Sequence, residues 1–221
     1  MSKPPALKRR AYDELLEAIL GGELEPGHLL NRRGVAQELG MSPAPVHEAM
    51  LQLERDGFLE ALPRRGTRVR TASREDVYGH LLVREALECQ VARLVCGDRL
   101  QAALEQLEAL ATRADAAGRT GHERAHHEVA FHVGLAELTD CPVLVSEYRR
   151  IMQIGLFYRI NQLMTAQPAQ PEDRHLALLQ ELAASRPAAA ADCVRHHLWS
   201  GKPDDLQAQR NLDTDHDRTD S

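Results

Sequence analysis

The chain has 221 residues, enough for one large domain or two small ones. Hydrophobic residues make up 43%, charged residues 27%, and the mean hydropathy is -0.41, a composition that argues against long disorder and against a membrane protein. The net charge of -6 is uneven: residues 1–72 hold 11 Lys and Arg against 10 Asp and Glu, residues 73–221 hold 16 against 23, and residues 61–72 carry four arginines and no acid.

No stretch approaches the roughly 18 uncharged apolar residues of a spanning helix. The N-terminal Lys3, Lys8, Arg9 and Arg10 run into Asp13, Glu14 and Glu17 instead of an apolar leader core. A cytoplasmic protein without membrane attachment is expected. Cys89, Cys96, Cys141 and Cys193 form no CxxC pair and read as reduced core thiols.

A first helix is predicted over Leu7–Leu20, with Ala11, Leu15, Ala18 and Ile19 on one stripe and Gly21-Gly22 ending it. After the Pro26-Gly27 turn, a short helix over Arg33–Leu39 is broken by Gly40. Ser42 then offers an N-cap oxygen with Pro43 at the first helical position. The third helix buries Val46, Ala49, Met50 and Leu53 and stops at Gly57. Two short strands, Phe58–Leu62 and Thr67–Arg70, flank the turn Pro63-Arg64-Arg65-Gly66, whose glycine is placed for positive φ. Residues 1–72 thus read as a winged helix-turn-helix with arginines in its wing.

From Ser73 on the pattern is helical, with helices predicted near 74–96, 99–117, 122–139, 143–165, 172–185 and 188–200. These make an all-α bundle over 73–202. Residues 203–221 hold six Asp, two Arg and almost no apolar side chains, which predicts an acidic disordered tail. The fold class is mainly α, a winged helix-turn-helix followed by a helical bundle.

Polar residues on the apolar stripes of the bundle mark candidate chemistry. Glu128 and His132 are four apart beside Phe131 and Leu135; His175 aligns with Leu178, Leu179 and Leu182, and His197 with Ala190 and Val194. A buried imidazole or carboxylate needs a partner. Each could be satisfied singly by a backbone group, or all four could converge on a divalent metal. Arg84 shares a face with Val77, Leu81, Glu88, Val91 and Val95, and is either neutralised by Glu88 or aimed at an anion.

The segment PVHEAMLQLERDGFLE (45–60), the wing PRRGTRV (63–69) and the turn EPGHLL (25–30) resemble the GntR family of bacterial transcription regulators. LLVREALE (81–88), EVAFH (128–132), His175 and RHHL (195–198) resemble the FCD-like effector-binding domain of its FadR-type branch. The resemblance implies DNA reading by Arg33 and by the wing tip at Gly66; Arg32, Arg64, Arg65 and Arg68 could add phosphate or minor-groove contacts, and Ser42, Ala44 and His47 at the start of the recognition helix complete the expected DNA-binding set. Where the family reads bases with two arginines at the start of the recognition helix, this chain has Pro43 and His47. An operator unlike the usual half-site is expected, because each lost bidentate contact removes about 1–3 kcal/mol of base discrimination.

The resemblance further implies a zinc or nickel ion on Glu128, His132, His175 and His197, with Glu128 where the family usually has Asp. It also implies a small carboxylate effector bound by Arg84. The function expected is a ligand-responsive transcription regulator and not an enzyme, with operator DNA and a second copy as partners, since one recognition helix covers only a half-site. A metal-only sensor or a metal-dependent enzyme would use the same four residues.

Overall fold

A computed structural model describes the backbone of residues 4–116, 121–160, 174–200 and 202–219, and their side chains apart from 4–5, 121–125, 159–160 and 212–219. The chain divides into two compact units, Met1–Ser73 with Leu156–Asn161, and Arg74–Gly155 with Gln162–Ser221.

The first unit runs α1 (Pro4–Leu20), β1 (Leu29–Leu30), α2 (Arg32–Glu38), α3 (Pro43–Asp56), β2 (Leu59–Leu62) and β3 (Gly66–Val69). Ala11, Leu15 and Ile19 of α1 pack with Val46, Ala49 and Leu53 of α3 as its core, and the Tyr12 hydroxyl donates to Asp56 at 2.9 Å across the same pair. Asn31 starts α2 by accepting the Arg33 N–H at 3.0 Å. Ser42 does sit at the N-cap of α3, but its hydroxyl makes no capping bond. The fixed φ of Pro43, which gives up an N–H that the first turn would leave unpaired anyway, begins this helix instead. Gly57 ends it at φ 91.

The wing has three strands, in the order β1-β3-β2, with Leu59 opposite Val69 and Leu62 opposite Gly66. β1 is the strand that the sequence does not announce. Two residues are too short for any alternation to register, and only the burial of Leu30 at 6% exposure and the pairing with β3 hold it. At the wing tip Gly66 takes φ 99, as predicted, and Arg64 shares the left-handed region at φ 62.

The remaining helices are α4 (Arg74–Val95), α5 (Asp98–Ala102), α6 (Leu104–Asp115), α7 (Gly121–Glu137), α8 (Pro142–Ile160), α9 (Arg174–Ala184), α10 (Pro187–Trp199) and α11 (Asp204–Thr219), all in the second unit except the part of α8 from Leu156 on. Leu107 and Ala111 of α6, Phe131 and Leu135 of α7, Leu178 and Leu182 of α9, and Ala190 and Val194 of α10 belong to one buried cluster. α7 approaches α6 closely at Gly134, where a Cβ would come within 2.9 Å of Leu110 Cδ1.

Besides β1, two elements differ from the sequence expectation. The single helix predicted over 99–117 is broken at Ala103, φ -111, into α5 and α6. Alanine carries no breaker signal, so nothing local in the sequence marks this break. The predicted disordered tail is corrected over Asp204–Thr219, which forms α11. Its few anchors suffice: Leu206 is buried, Arg74 pairs with Asp205, and Arg210 donates to Glu85 at 3.2 Å while stacking 5.1 Å over the Trp199 ring.

Candidate functional site

In the first unit, Arg32 and Arg33 open α2 and are exposed, as are Ser42 and Ala44 at the start of α3. The first turn of α3 carries no acid, so nothing offsets its positive dipole end. His47 is half-buried on the next turn, with Nδ1 making no hydrogen bond. Arg64, Arg65 and Gly66 are exposed at the wing tip. Arg68 differs from them: its Nε donates to Glu60 at 2.6 Å, directly opposite it on β2. Thr67 donates to Glu54 of α3 at 3.0 Å, tying the wing to the third helix.

In the second unit, α7, α9 and α10 deliver His132, His175 and His197 to one place. Their ring centroids lie 5.2–5.7 Å apart, and one ligand nitrogen from each falls within 4.8 Å of the others. All three residues are buried, and Phe131 packs edge-on against His132 and His175 at 5.2 and 5.0 Å. Burial, then Arg84 for His132 and Arg174 for His197, hold those two rings well below their ordinary pKa and so neutral. Nε2 of His132 and Nε2 of His175 are buried without a hydrogen-bond partner. Leaving such atoms unmatched costs about 1–3 kcal/mol each, and a neutral imidazole, as at His132 and His197, is the form a divalent cation takes up.

Glu128 is buried one turn before His132, and its charge bears on both His132 and His197. It is not among the groups whose ligand atoms gather within 4.8 Å. The structure therefore assembles three of the four predicted ligands at close range and holds the carboxylate beside them.

Arg84 is buried, and its Nε donates to Glu88 at 2.5 Å. Burial opposes its charge, but Glu88, Tyr148 and Glu128 hold the guanidinium above its ordinary pKa. Glu88 also takes the Tyr148 hydroxyl and lies 3.8 Å from His132 Nδ1. A space of about 10 Å³, the size of about one water, lies among Glu88, His132, Tyr148 and apolar neighbours.

A group that the sequence reading missed completes the site. Asp115, at the end of α6, accepts from the backbone N–H of His175 at 2.9 Å and of Leu176 at 3.1 Å, and meets His175 Nδ1 at 2.5 Å. Burial pushes its carboxyl up, but these contacts pull it below the usual carboxylate range. The available signal was an acid one turn after Ala111, on the stripe that buries Leu107.

Known proteins align with this arrangement in both halves. Residues 7–69 match the bacterial regulatory proteins of the gntR family, and residues 81–199 match the FCD domain. The HTH-type transcriptional regulator YdhC of Bacillus subtilis is 32% identical over 108 residues, 49% of this chain and 48% of the relative. The chain thus spans about half the length of that curated relative. A probable D-xylose utilization operon transcriptional repressor of Paenarthrobacter nicotinovorans is 25% identical over 91% of this chain and 89% of its own. A crystal structure of a GntR regulator from a Rhodococcus species superposes with a TM-score of 0.66 at 22% identity, covering 91% of this chain and 96% of the other, and so shares the fold. The winged helix-turn-helix and the helical unit that gathers three histidines place the chain in the GntR family of bacterial regulatory proteins, with an FCD domain as its second half.

Proposed function

We propose that the chain is a ligand-responsive transcription regulator whose helical unit binds a divalent metal, zinc or nickel, and a small carboxylate, and whose winged helix-turn-helix binds operator DNA as a homodimer in the cytoplasm. The observation that carries the metal reading is the convergence of three buried, inward-facing imidazoles from three helices. Two of their nitrogens have no hydrogen-bond partner, which suits a cation. His132, His175 and His197 would hold it, with Glu128 adjacent as a fourth donor. A bound divalent ion would supply positive charge and an open coordination position for an anionic ligand.

A carboxylate effector is supported by charge. Arg84 bears on His132 and His197 from the α4 side, so an anion beside the metal would meet a second cation. Such an effector would be larger than the space of about 10 Å³ beside His132, and seating it there would part the helices. That requirement would connect binding to shape, because an effector shifts an equilibrium only by preferring one arrangement over another. The same small void favours a second reading, a sensor of metal alone. An enzyme has less support, for a winged helix-turn-helix would have no part in catalysis.

On the DNA side, the exposed start of α3 would enter the major groove, while Arg32, Arg33, Arg64 and Arg65 would hold phosphates or the minor groove. Pro43 and His47 would read an operator unlike that of relatives with arginines at these positions. Arg68 would contribute less than its neighbours, being held by Glu60.

Fluorescence anisotropy with DNA from the protein's own upstream region, with and without chelator and with a panel of small carboxylates, tests the proposal. Specific binding altered by one carboxylate only when metal is present supports the metabolite reading. A response to metal alone supports the second, and no specific binding under any condition overturns both.

A further inference from the structure

The inference rests on the metal reading above and concerns how one ligand is held. Asp115 lies 60 residues before His175 in the chain, and the two side chains are 6% and 5% exposed. Its carboxylate collects three groups from the start of α9: the backbone N–H of His175, the backbone N–H of Leu176, and the His175 ring at Nδ1. The two backbone groups belong to the first turn of α9, whose N–H groups have no partner within the helix. Asp115 therefore caps α9 from another helix. An ionised carboxylate only accepts, so the Nδ1 that faces it at 2.5 Å carries the proton. In the neutral ring this leaves the lone pair on the other nitrogen, Nε2, which is buried and without a hydrogen bond.

We infer that Asp115 is a positioning residue for the metal centre: it sets the tautomer and orientation of His175 and anchors the first turn of α9 with the same two oxygens. The ring meets Oδ1 while both backbone groups bond Oδ2, so one carboxylate orients the ring and caps the helix at the same time. His132 meets its neighbouring carboxylate Glu88 less closely. Its Nδ1 stands 3.8 Å from Glu88, outside hydrogen-bond range, and Glu88 already serves Arg84 and Tyr148. Asp115 meets the His175 ring at Nδ1, the nitrogen across the ring from the unpartnered Nε2.

The test uses the full chain carrying Asp115→Asn, which keeps the shape and one acceptor oxygen, and Asp115→Ala. Zinc affinity is measured by competition with a chromophoric chelator. The tautomer of His175 is read in metal-free protein by long-range nitrogen-proton NMR, and folding by circular dichroism. The expected results are a proton on Nδ1 of His175 in the parent chain, loss of that preference in both variants, and zinc binding weaker by about 10–100-fold. Weakened folding with zinc affinity unchanged in the folded fraction would reduce Asp115 to a cap and overturn the inference. So would a proton on Nε2 in the parent chain. If the parent chain binds no zinc, the metal reading fails by itself, and the tautomer still decides whether Asp115 sets the ring.

Discussion

Replacing Glu88 by Ala is expected to be among the most damaging single changes in the helical unit. Glu88 and Arg84 are 3% and 7% exposed and joined at 2.5 Å, and the Tyr148 hydroxyl donates to the same carboxylate. The substitution leaves a guanidinium in the core without its counter-charge, which costs about 3–5 kcal/mol. It also strands the tyrosine hydroxyl, worth about 1–3 kcal/mol. Against a usual stability of about 5–15 kcal/mol, this is enough to bring the unit near unfolding. The double substitution Arg84→Met with Glu88→Leu removes both charges together and is expected to recover most of the loss, short of the stranded hydroxyl. The single tryptophan, Trp199, lies in this unit and reports its unfolding by fluorescence in urea, with a chelator present to keep metal linkage out of the comparison. A loss below about 1 kcal/mol for Glu88→Ala, or a double variant as weak as the sum of its parts, would refute the pairing as the reason for these charges. Arg84 would then be free for the anion.

Three further outcomes follow from the same contacts. Burial, then Arg84, Lys202 and Arg150, push His80 down to about 3, so the unfolded chain takes up a proton near pH 6.5 that the folded chain refuses. Stability from this group is complete above that pH and falls as pH drops from 6.5 toward 3, by at most about 1.4 kcal/mol per pH unit; urea midpoints between pH 7 and 5 should show a shallower slope for His80→Gln, and an equal slope would contradict the assignment. Leu206→Ala removes the buried anchor of α11, so trypsin should cut at Arg210 faster while Trp199 fluorescence keeps its urea midpoint; a shifted midpoint would show that α11 is part of the cooperative core. Replacing Arg64 and Arg65 together by Ala should lower the slope of log affinity for DNA against log salt by about 1 per lost phosphate contact, and an unchanged slope would remove the wing tip from the DNA surface.

Much of the fold was legible because strong local signals agree with the tertiary outcome. Pro43 and Gly57 bracket α3, Gly66 turns the wing, and the histidines stand on apolar faces of α7, α9 and α10. What escaped was decided by contacts distant in sequence. α11 is polar along most of its length and is held by Leu206, Arg210 and Asp205 against partners on α4 and α10 that no local pattern names. Ala103 breaks a helix despite having the highest helix propensity of any residue, so tertiary packing overrides its preference there. Asp115 shows the limit for the site: an acid at a helix end looks solvated until the start of α9 is brought onto it. Glu128 shows the reverse, since spacing places it one turn from His132 but does not fix how far its carboxylate reaches toward the other two rings.

The most direct test of the central claim is metal stoichiometry and affinity. The purified full chain is dialysed against zinc or nickel, its metal content is measured by mass spectrometry, and the measurement is repeated for His132→Ala, His175→Ala and His197→Ala. The account predicts one ion per chain, removed or greatly weakened in each variant while circular dichroism keeps its helical signal. Retention of the ion in all three variants, or no uptake by the parent chain, would contradict it.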